Sequence, residues 1–339
     1  MTVAPARLEE PPRRFRSARL AWRALRRETL EFRFDYPVVA VPEAALPGSL
    51  RYHVHSNELF FDMMKLDDDG IPVHLTRTFG PAYNPAYVAW YGLVSLDRWL
   101  QELDPAGEAV FRKQIDWLAE HAKPWTHGAR VWTYDVELAE GRGLLRPPWI
   151  SAMAQGLAIS ALVRGYRLFR TGSLLELAHA AARVFAHLIE DGGVASAEGG
   201  FRLYEEYPCY PLPRVLDGFL FSLLGLYDLW AESADPAVGE LFQAGVSGLT
   251  HKLDHWDYRS KWSWYGDRVY LAPTHYHCLN TMLLGSVARL AGNPALVQRA
   301  ERWDPNRLSV LSRAEIRFVF FLSKNWSRLR HRTWTRGRP

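Results

Sequence analysis

The spacing of hydrophobic residues changes near residue 83. Downstream, apolar residues recur at helical spacing, and Pro or Gly residues divide them into pairs of helices. The first helices of these pairs are predicted to start near residues 85, 151, 213 and 274, so the pattern repeats every 61 to 66 residues. Such a period is typical of stacked α-hairpins, arranged as an open solenoid or a closed (α/α) toroid. The first helix of each pair is the more apolar one, which favours the inner layer of a ring.

The sequence therefore predicts a mostly α fold, an (α/α) barrel or toroid of about four helical hairpins over residues 83–310. Residues 31–82 alternate apolar and polar positions and predict a small β-rich, hairpin-containing region before the barrel. Residues 67–70 (DDDG) are typical of a tight turn, and we prefer this to a calcium loop because the other ligand positions are absent. A basic helix or tail at 1–30 and an Arg-rich tail at 311–339 complete the predicted organisation.

Charge is distributed unevenly along the chain. The net charge is +4, but residues 1–27 contribute +6, residues 324–339 another +6, and the residues between them −8. Basic ends suit contact with an acidic polymer or an anionic membrane surface, although solvated tails are the simpler interpretation. The body lacks a basic-aromatic motif for nucleic acid, so no nucleic-acid partner is expected.

Several classes of protein are excluded by composition. A 48% hydrophobic and 23% charged chain is typical of a folded protein. No apolar run reaches the roughly 18 residues that a transmembrane helix needs. Two cysteines without zinc-ligand spacing predict neither a disulfide framework nor a metal site. The first residues do not form a recognisable secretory signal, so the expected location is the cytoplasm, with the basic ends able to approach a membrane.

The linker before the third hairpin carries two adjacent acids, Glu205 and Glu206. Pro208 disfavours a helix at the residue before it, so this stretch should be extended. Side chains alternate along an extended chain, so at most one of the two acids faces a given cleft. This argues against a paired-carboxylate hydrolase. The alternative is that one Glu lies in water and the other caps the following helix.

Two further segments carry candidate polar groups. Residues 264–268 (WYGDR), followed by residues 275–277 (HYH), place an Arg near polar aromatic residues, which suits a carboxylate ligand. The alternative is that these aromatic residues fill the rim of the ring and Arg268 forms a surface pair. Residues 149–156 introduce small residues that permit close helix packing, with Gln155 as the only plausible polar group there.

Three segments closely resemble the catalytic domain of the glucuronyl C5-epimerases: residues 149–164 (WISAMAQGLAISALVR), 204–208 (YEEYP) and 215–229 (VLDGFLFSLLGLYDL). Residues 83–93 (YNPAYVAWYGL) and 276–277 fit the same family. The resemblance implies a β-rich N-terminal portion followed by an (α/α) barrel. It also implies conversion of D-glucuronate to L-iduronate in a heparosan-like acidic polysaccharide.

The resemblance also implies roles for individual residues. Epimerisation removes a proton from C5, next to the carboxylate, and returns one to the opposite face, so two acid/base groups must flank the sugar. By motif, Glu206 and Tyr276 are this pair, and Tyr207 assists them. Tyr265 and Arg268 are implied to bind the carboxylate end of the substrate. The remaining implied substrate-binding residues are Tyr83, Asn84, Gln155, Tyr204 and His277.

The chemistry needs no cofactor and no metal, and relatives make a homodimer a further expectation. The sequence departs from the family pattern at Asp217 (usually Asn), Asn280 (usually His) and Trp90 (usually Gln), and at residues 266–267. Two alternatives stay open. A polysaccharide lyase would also remove the C5 proton but then eliminate the C4 substituent, and a non-catalytic relative would only bind acidic glycan.

Overall fold

Helices dominate the computed structural model, which describes residues 39–55, 65–76, 80–140, 143–267 and 270–331. Most begin within three residues of the predicted starts, because Asn84, Ser151 and Asp235 cap helix amides and proline opens several first turns. The α-helices are α1 (Pro85–Leu100), α2 (Gly107–Glu120), α3 (Ala152–Phe169), α4 (Gly172–Ala182), α5 (Leu216–Ser233), α6 (Pro236–Lys252), α7 (Thr274–Leu290), α8 (Pro294–Arg302) and α9 (Val310–His331).

The first eight helices form four hairpins, each made of two consecutive helices. Within this arrangement α1, α3, α5 and α7 pack side by side in chain order and form an inner row. The α3–α5 contact is backbone to backbone: a Cβ added at Gly225 would lie 2.2 Å from the carbonyl oxygen of Gly156. Only glycine permits this approach. The predicted mostly α class and its four hairpins are confirmed.

The described part of the inner row is an open arc, not a closed ring of helices. The segment 39–55 lies across the gap between α1 and α7. Its strands contact α7, and the ring of Tyr52 meets Trp90 of α1 edge-on at 5.8 Å. The carbonyl of His53 accepts a hydrogen bond from Ser286 of α7 at 3.3 Å. The N-terminal segment thus completes the wall that the helices leave open.

The strands are short and form six separate antiparallel pairs. They are β1 (Val39–Ala40), β2 (Val54–His55), β3 (Val73–Thr76), β4 (Gly80–Tyr83), β5 (Lys123–Pro124), β6 (Arg130–Val131), β7 (Leu138–Glu140), β8 (Gly143–Leu145), β9 (Ala195–Glu198), β10 (Phe201–Tyr204), β11 (Asp257–Tyr258) and β12 (Trp262–Ser263). The predicted turn forms, with Gly70 at φ +85° and its amide bonded to the carbonyl of Asp67.

Parts of the predicted organisation lie outside the described residues: the basic segment 1–30 and, within the predicted β-rich region 31–82, residues 31–38, 56–64 and 77–79. At the other end, residues 311–331 of the predicted Arg-rich tail belong to helix α9, which begins at Val310. No helix in the described ranges combines the length and apolar character that crossing a bilayer requires.

Ion pairs link side chains at the C-terminal ends of the inner helices to each other and to the segment 39–55. Asp228 of α5 accepts hydrogen bonds from Arg164 of α3 at 2.6 Å and from His53 at 2.8 Å, and all three side chains are buried. Asp97 of α1 is bonded to both Arg51 and His55. A buried charge is costly unless it is paired, so these bonds make this end compatible with folding.

Candidate active site

The opposite end of the inner row brings together five of the ten predicted site residues: Asn84, Glu206, Tyr207, Tyr265 and Tyr276. Asn84, Glu206, Asp217 and Tyr276 all lie in the first turns of the inner helices or in the loops that lead into them. The helices run in the same direction, so the positive ends of several helix dipoles meet here. This end therefore favours negative charge, which suits an acidic ligand.

Glu205 and Glu206 diverge, as the alternation predicted. Glu205 points to β9, where it accepts a hydrogen bond from Ser196 and lies 3.8 Å from Arg214. Glu206 lies across the first turn of α5, so that a Cβ added at Gly218 would be 2.4 Å from its Oε2 atom. Strand β10 ends at Tyr204, so strict strand alternation does not extend to Glu205 and Glu206. The glycine at 218 makes room for the Glu206 carboxylate.

The negative charge of Glu206 acts on two nearby tyrosines. Burial raises the pKa of Tyr87, and the negative charge of Glu206 raises it further. Burial and, after it, the negative charge of Glu206 also raise the pKa of Tyr134. The Tyr134 hydroxyl donates to Oδ1 of Asn84 at 2.9 Å, and its ring stacks on Trp149 at 4.0 Å. Phenols and a carboxylate thus share one buried corner of the site.

Tyr87, Tyr134 and Trp149 were not among the residues assigned to the site from sequence. Tyr87 and Trp149 lie inside segments that resemble the epimerases, and that signal could have identified them. Tyr134 lies in a loop between hairpins, where it forms an isolated bridge with Trp149. A lone tyrosine in a loop carries no pattern that would mark it.

A second group of tyrosines lines the same end. The ring of Tyr265 stacks on Tyr270 at 4.9 Å and meets Tyr276 edge-on at 5.0 Å. Tyr207 packs against this cluster and also approaches Trp149 at 6.1 Å. The structure therefore brings Tyr207, Tyr265 and Tyr276 together. Arg268 lies outside the described residues.

Asp217 is the family departure that the structure places in the site. Its side chain is only 3% exposed in the first turn of α5, next to the glycine that Glu206 covers. Burial raises its pKa to about 7. Within the described structure its Oδ1 atom has no hydrogen-bond partner. A buried carboxyl with an unsatisfied oxygen is costly for stability and is characteristic of functional sites.

Tyr204 and His277 lie in the core and not at the site. The Tyr204 hydroxyl donates to the carbonyl of Leu241 at 2.6 Å, toward the outer helix α6. His277 donates from Nε2 to the carbonyl of Trp303 at 2.8 Å and accepts from the amide of Ser263 at Nδ1. Burial lowers its pKa to about 3, so the ring is neutral.

The other implied residues occupy mixed positions. Asn84 caps α1 and receives the Tyr134 hydroxyl, so it belongs to the site. Gln155 is fully buried, and its amide donates to the carbonyl of Trp132 at 3.2 Å. Tyr83 is 45% exposed and bonds Asp67 at the surface. Asn280 is bonded to Ser263, beside His277. In the described residues, no cluster of three or more His, Cys, Asp or Glu side chains could hold a metal ion.

Comparison with known proteins identifies the family of this chain. Residues 126–305 match the model of the family described as D-glucuronyl C5-epimerase C-terminus. The chain therefore belongs to the C-terminal-domain family of the D-glucuronyl C5-epimerases. It is 34% identical over 214 residues to the D-glucuronyl C5-epimerase of Caenorhabditis elegans. This match covers 57% of the chain, which spans about a third (34%) of that relative.

One solved structure shows a more distant likeness. The cellobiose 2-epimerase of Bacillus thermoamylovorans superposes with a TM-score of 0.49 at 12% identity. The superposition covers 73% of this chain and 67% of that one.

Proposed function

We propose that this protein is a uronic-acid C5-epimerase that acts on a glucuronate-containing, heparosan-like polysaccharide. The observation that carries the proposal is the Glu206 carboxylate, held over Gly218 and near enough to Tyr87 and Tyr134 for its charge to raise the pKa of both phenols. It lies inside the region that matches the epimerase family. A carbohydrate epimerase needs acid/base groups held close to the sugar in this way.

In the proposed reaction one group removes the C5 proton, and the electron pair moves into the adjacent carboxylate. A second group then delivers a proton to the opposite face of C5, and the electron pair returns to form the new C–H bond. Glu206 and Tyr276 are the proposed pair, with Tyr207 assisting them. Tyr207 and Tyr276 pack on the same aromatic cluster, which supports a shared role. An unperturbed tyrosine titrates near pH 10, so proton transfer by Tyr276 is either concerted or assisted by nearby positive charge.

The intermediate of this reaction carries extra negative charge on the substrate carboxylate. The N-terminal ends of the inner helices favour such charge. Tyr265 and Arg268 are the proposed carboxylate binders, and Tyr265 is held beside Tyr276 by ring contact. The positive N-terminal ends of the inner helices thus favour an acidic polysaccharide as the substrate class.

The experiment is deuterium incorporation at C5 of heparosan incubated with the protein in heavy water. We expect exchange with the unaltered protein and a loss of about a thousandfold or more with Glu206→Gln or Tyr276→Phe. Glu205→Gln is the matched control, because this neighbouring carboxyl faces β9. Tyr258→Phe is the control for the phenol, because its hydroxyl bonds Glu315 outside the site.

Each other outcome has a defined meaning. Near-normal exchange in both site variants would contradict the assigned roles. Ultraviolet absorbance from an unsaturated uronate would instead indicate a lyase. Binding of heparosan without any exchange in the unaltered protein would leave a non-catalytic glycan-binding relative as the better account.

A further inference from the structure

Helix α9 carries apolar residues on two opposite faces. Ile316 and Phe320 face the body, where they pack in one cluster with Trp262 and Leu271. The other face holds Leu311, Phe318, Leu322 and Trp326, which are 82%, 63%, 49% and 67% exposed. Their spacing of seven, four and four residues places them in one stripe along the helix. An ordinary surface helix would present polar residues there.

The charge on α9 is strongly one-sided. The helix carries five basic residues and one acid, a net charge of +4. That acid, Glu315, lies four residues after Leu311 in the same stripe, where its charge is matched by bonds to the hydroxyl of Tyr258 and the ammonium group of Lys261. Among the exposed side chains that the structure describes on α9, Arg317 carries the one charge. The uncovered face is therefore an apolar stripe, interrupted by one paired acid, on a helix of net positive charge.

This charge decides between the candidate occupants. A second copy would bring two helices of the same +4 charge together. The N-terminal segment of the chain is also basic, since residues 1–27 carry +6. Like charges oppose both contacts. An acidic polysaccharide complements the charge, but it has no hydrophobic region comparable to lipid acyl chains that could cover Leu311, Phe318 and Leu322. An anionic lipid surface complements both features.

We propose that α9 lies in the plane of an anionic membrane surface, with Leu311, Phe318, Leu322 and Trp326 inserted at the headgroup boundary. A set of large apolar residues on one face, a net positive charge and a Trp at the margin of the stripe are properties of an interfacial helix. At about 1.5 Å per residue, the 22 residues of the helix give a contact roughly 33 Å long. The proposal concerns contact with a surface and needs no membrane-spanning segment.

The experiment is co-sedimentation of the full chain with vesicles, either of phosphatidylcholine and phosphatidylglycerol or of phosphatidylcholine alone. We expect binding to the anionic vesicles, weakened by salt, and little binding to the neutral ones. The double variant Phe318→Glu/Leu322→Glu should weaken vesicle binding about tenfold or more. Both side chains are exposed, so the fold should be retained, as circular dichroism and the deuterium assay would verify.

The matched control is Leu103→Glu, an equally exposed apolar position outside α9 (59%). It should leave vesicle binding unchanged. Equal binding by the α9 double variant would overturn the proposal. So would a homodimer in sedimentation analysis that the double variant dissociates while vesicles bind neither form. Loss of heparosan binding in the double variant, without vesicle binding by the unaltered protein, would instead make the helix a glycan contact.

Discussion

The two ends of the inner helices use buried charge in opposite ways. At the C-terminal end, Asp228 is matched by Arg164 and His53, and the segment 39–55 covers the network. At the N-terminal end, Asp217 is equally buried, yet its Oδ1 atom has no partner in the described structure. Pairing at one end supports the fold, whereas the unmatched carboxyl at the other end is a cost that stability alone does not explain. The same helices thus separate a structural end from a chemical end.

The largest effect should come from breaking the structural end with Asp228→Asn. Burial alone would raise the pKa of Asp228, but Arg164 and His53 outweigh it and hold that pKa below the usual range. The carboxylate therefore stabilises the fold above the unfolded pKa near 3.9, and this contribution is lost in acid. The variant leaves the buried Arg164 guanidinium without its counter-charge, which should cost about 3–5 kcal/mol near neutral pH.

Urea denaturation would measure this loss in the free energy of unfolding. Glu108→Gln is the control, since Glu108 pairs with Arg112 at the surface and its loss should cost less than about 1 kcal/mol. A loss below 1 kcal/mol for Asp228→Asn would contradict the structural role of this end.

The next largest effect should be a loss of catalytic turnover in the variant Gly218→Ala at the chemical end. The new Cβ would lie 2.4 Å from Oε2 and 2.6 Å from Cβ of Glu206, so the carboxylate must move. A shift of about 1 Å in a catalytic group lowers turnover roughly a hundredfold. Deuterium exchange would measure it. Gly172→Ala is the control, because nothing lies within 4 Å of the added atom. Exchange within a factor of two of the unaltered protein would argue against Glu206 as an acid/base group.

The helical frame could be predicted from sequence because its signals are local. Asn84, Ser151 and Pro236 mark helix starts through bonds to neighbouring amides or a fixed φ. Divergence of Glu205 and Glu206 was predicted from strand alternation, yet both residues follow the end of β10, so the chain after the strand directs them apart. The helix at 310–331 was not predicted, because the Arg-rich composition of that segment obscured its apolar spacing.

The composition of the site was only partly predictable, because its members come from distant parts of the chain. Tyr87 and Tyr134 approach Glu206 across 119 and 72 residues, and no periodic pattern encodes such contacts. Motif resemblance also does not show which way a side chain points. Tyr204 and His277 lie within or beside matching motifs, yet their polar atoms are bonded inside the core.

Asp217→Asn should have a smaller effect on stability, opposite in sign to that of Asp228→Asn at the other end of the helices. The pKa of Asp217 is about 7 in the folded protein and near 3.9 when unfolded, so the folded state holds more protons between these values. The free energy of unfolding should therefore fall as pH rises from about 4 to about 7. Asparagine removes this loss and should stabilise the protein by on the order of 2 kcal/mol at about pH 8, with little gain at about pH 4.

Urea denaturation at the two pH values would measure the difference. Asp116→Asn, at an exposed position, is the control and should show no such dependence. A gain that does not change with pH would show that Asp217 is not held as a buried, proton-binding carboxyl.

The smallest effect separates the two tyrosines that the family motifs implied. Tyr204→Phe removes one hydrogen bond to the carbonyl of Leu241, which should cost about 1 kcal/mol of stability. Deuterium exchange should stay near normal, because this hydroxyl points to α6 and away from the site. Tyr276→Phe should do the reverse, with exchange lost and stability nearly unchanged, since its half-buried ring keeps the contact with Tyr265. Loss of exchange in Tyr204→Phe at unchanged stability would place that hydroxyl in the reaction and weaken the division between core and site.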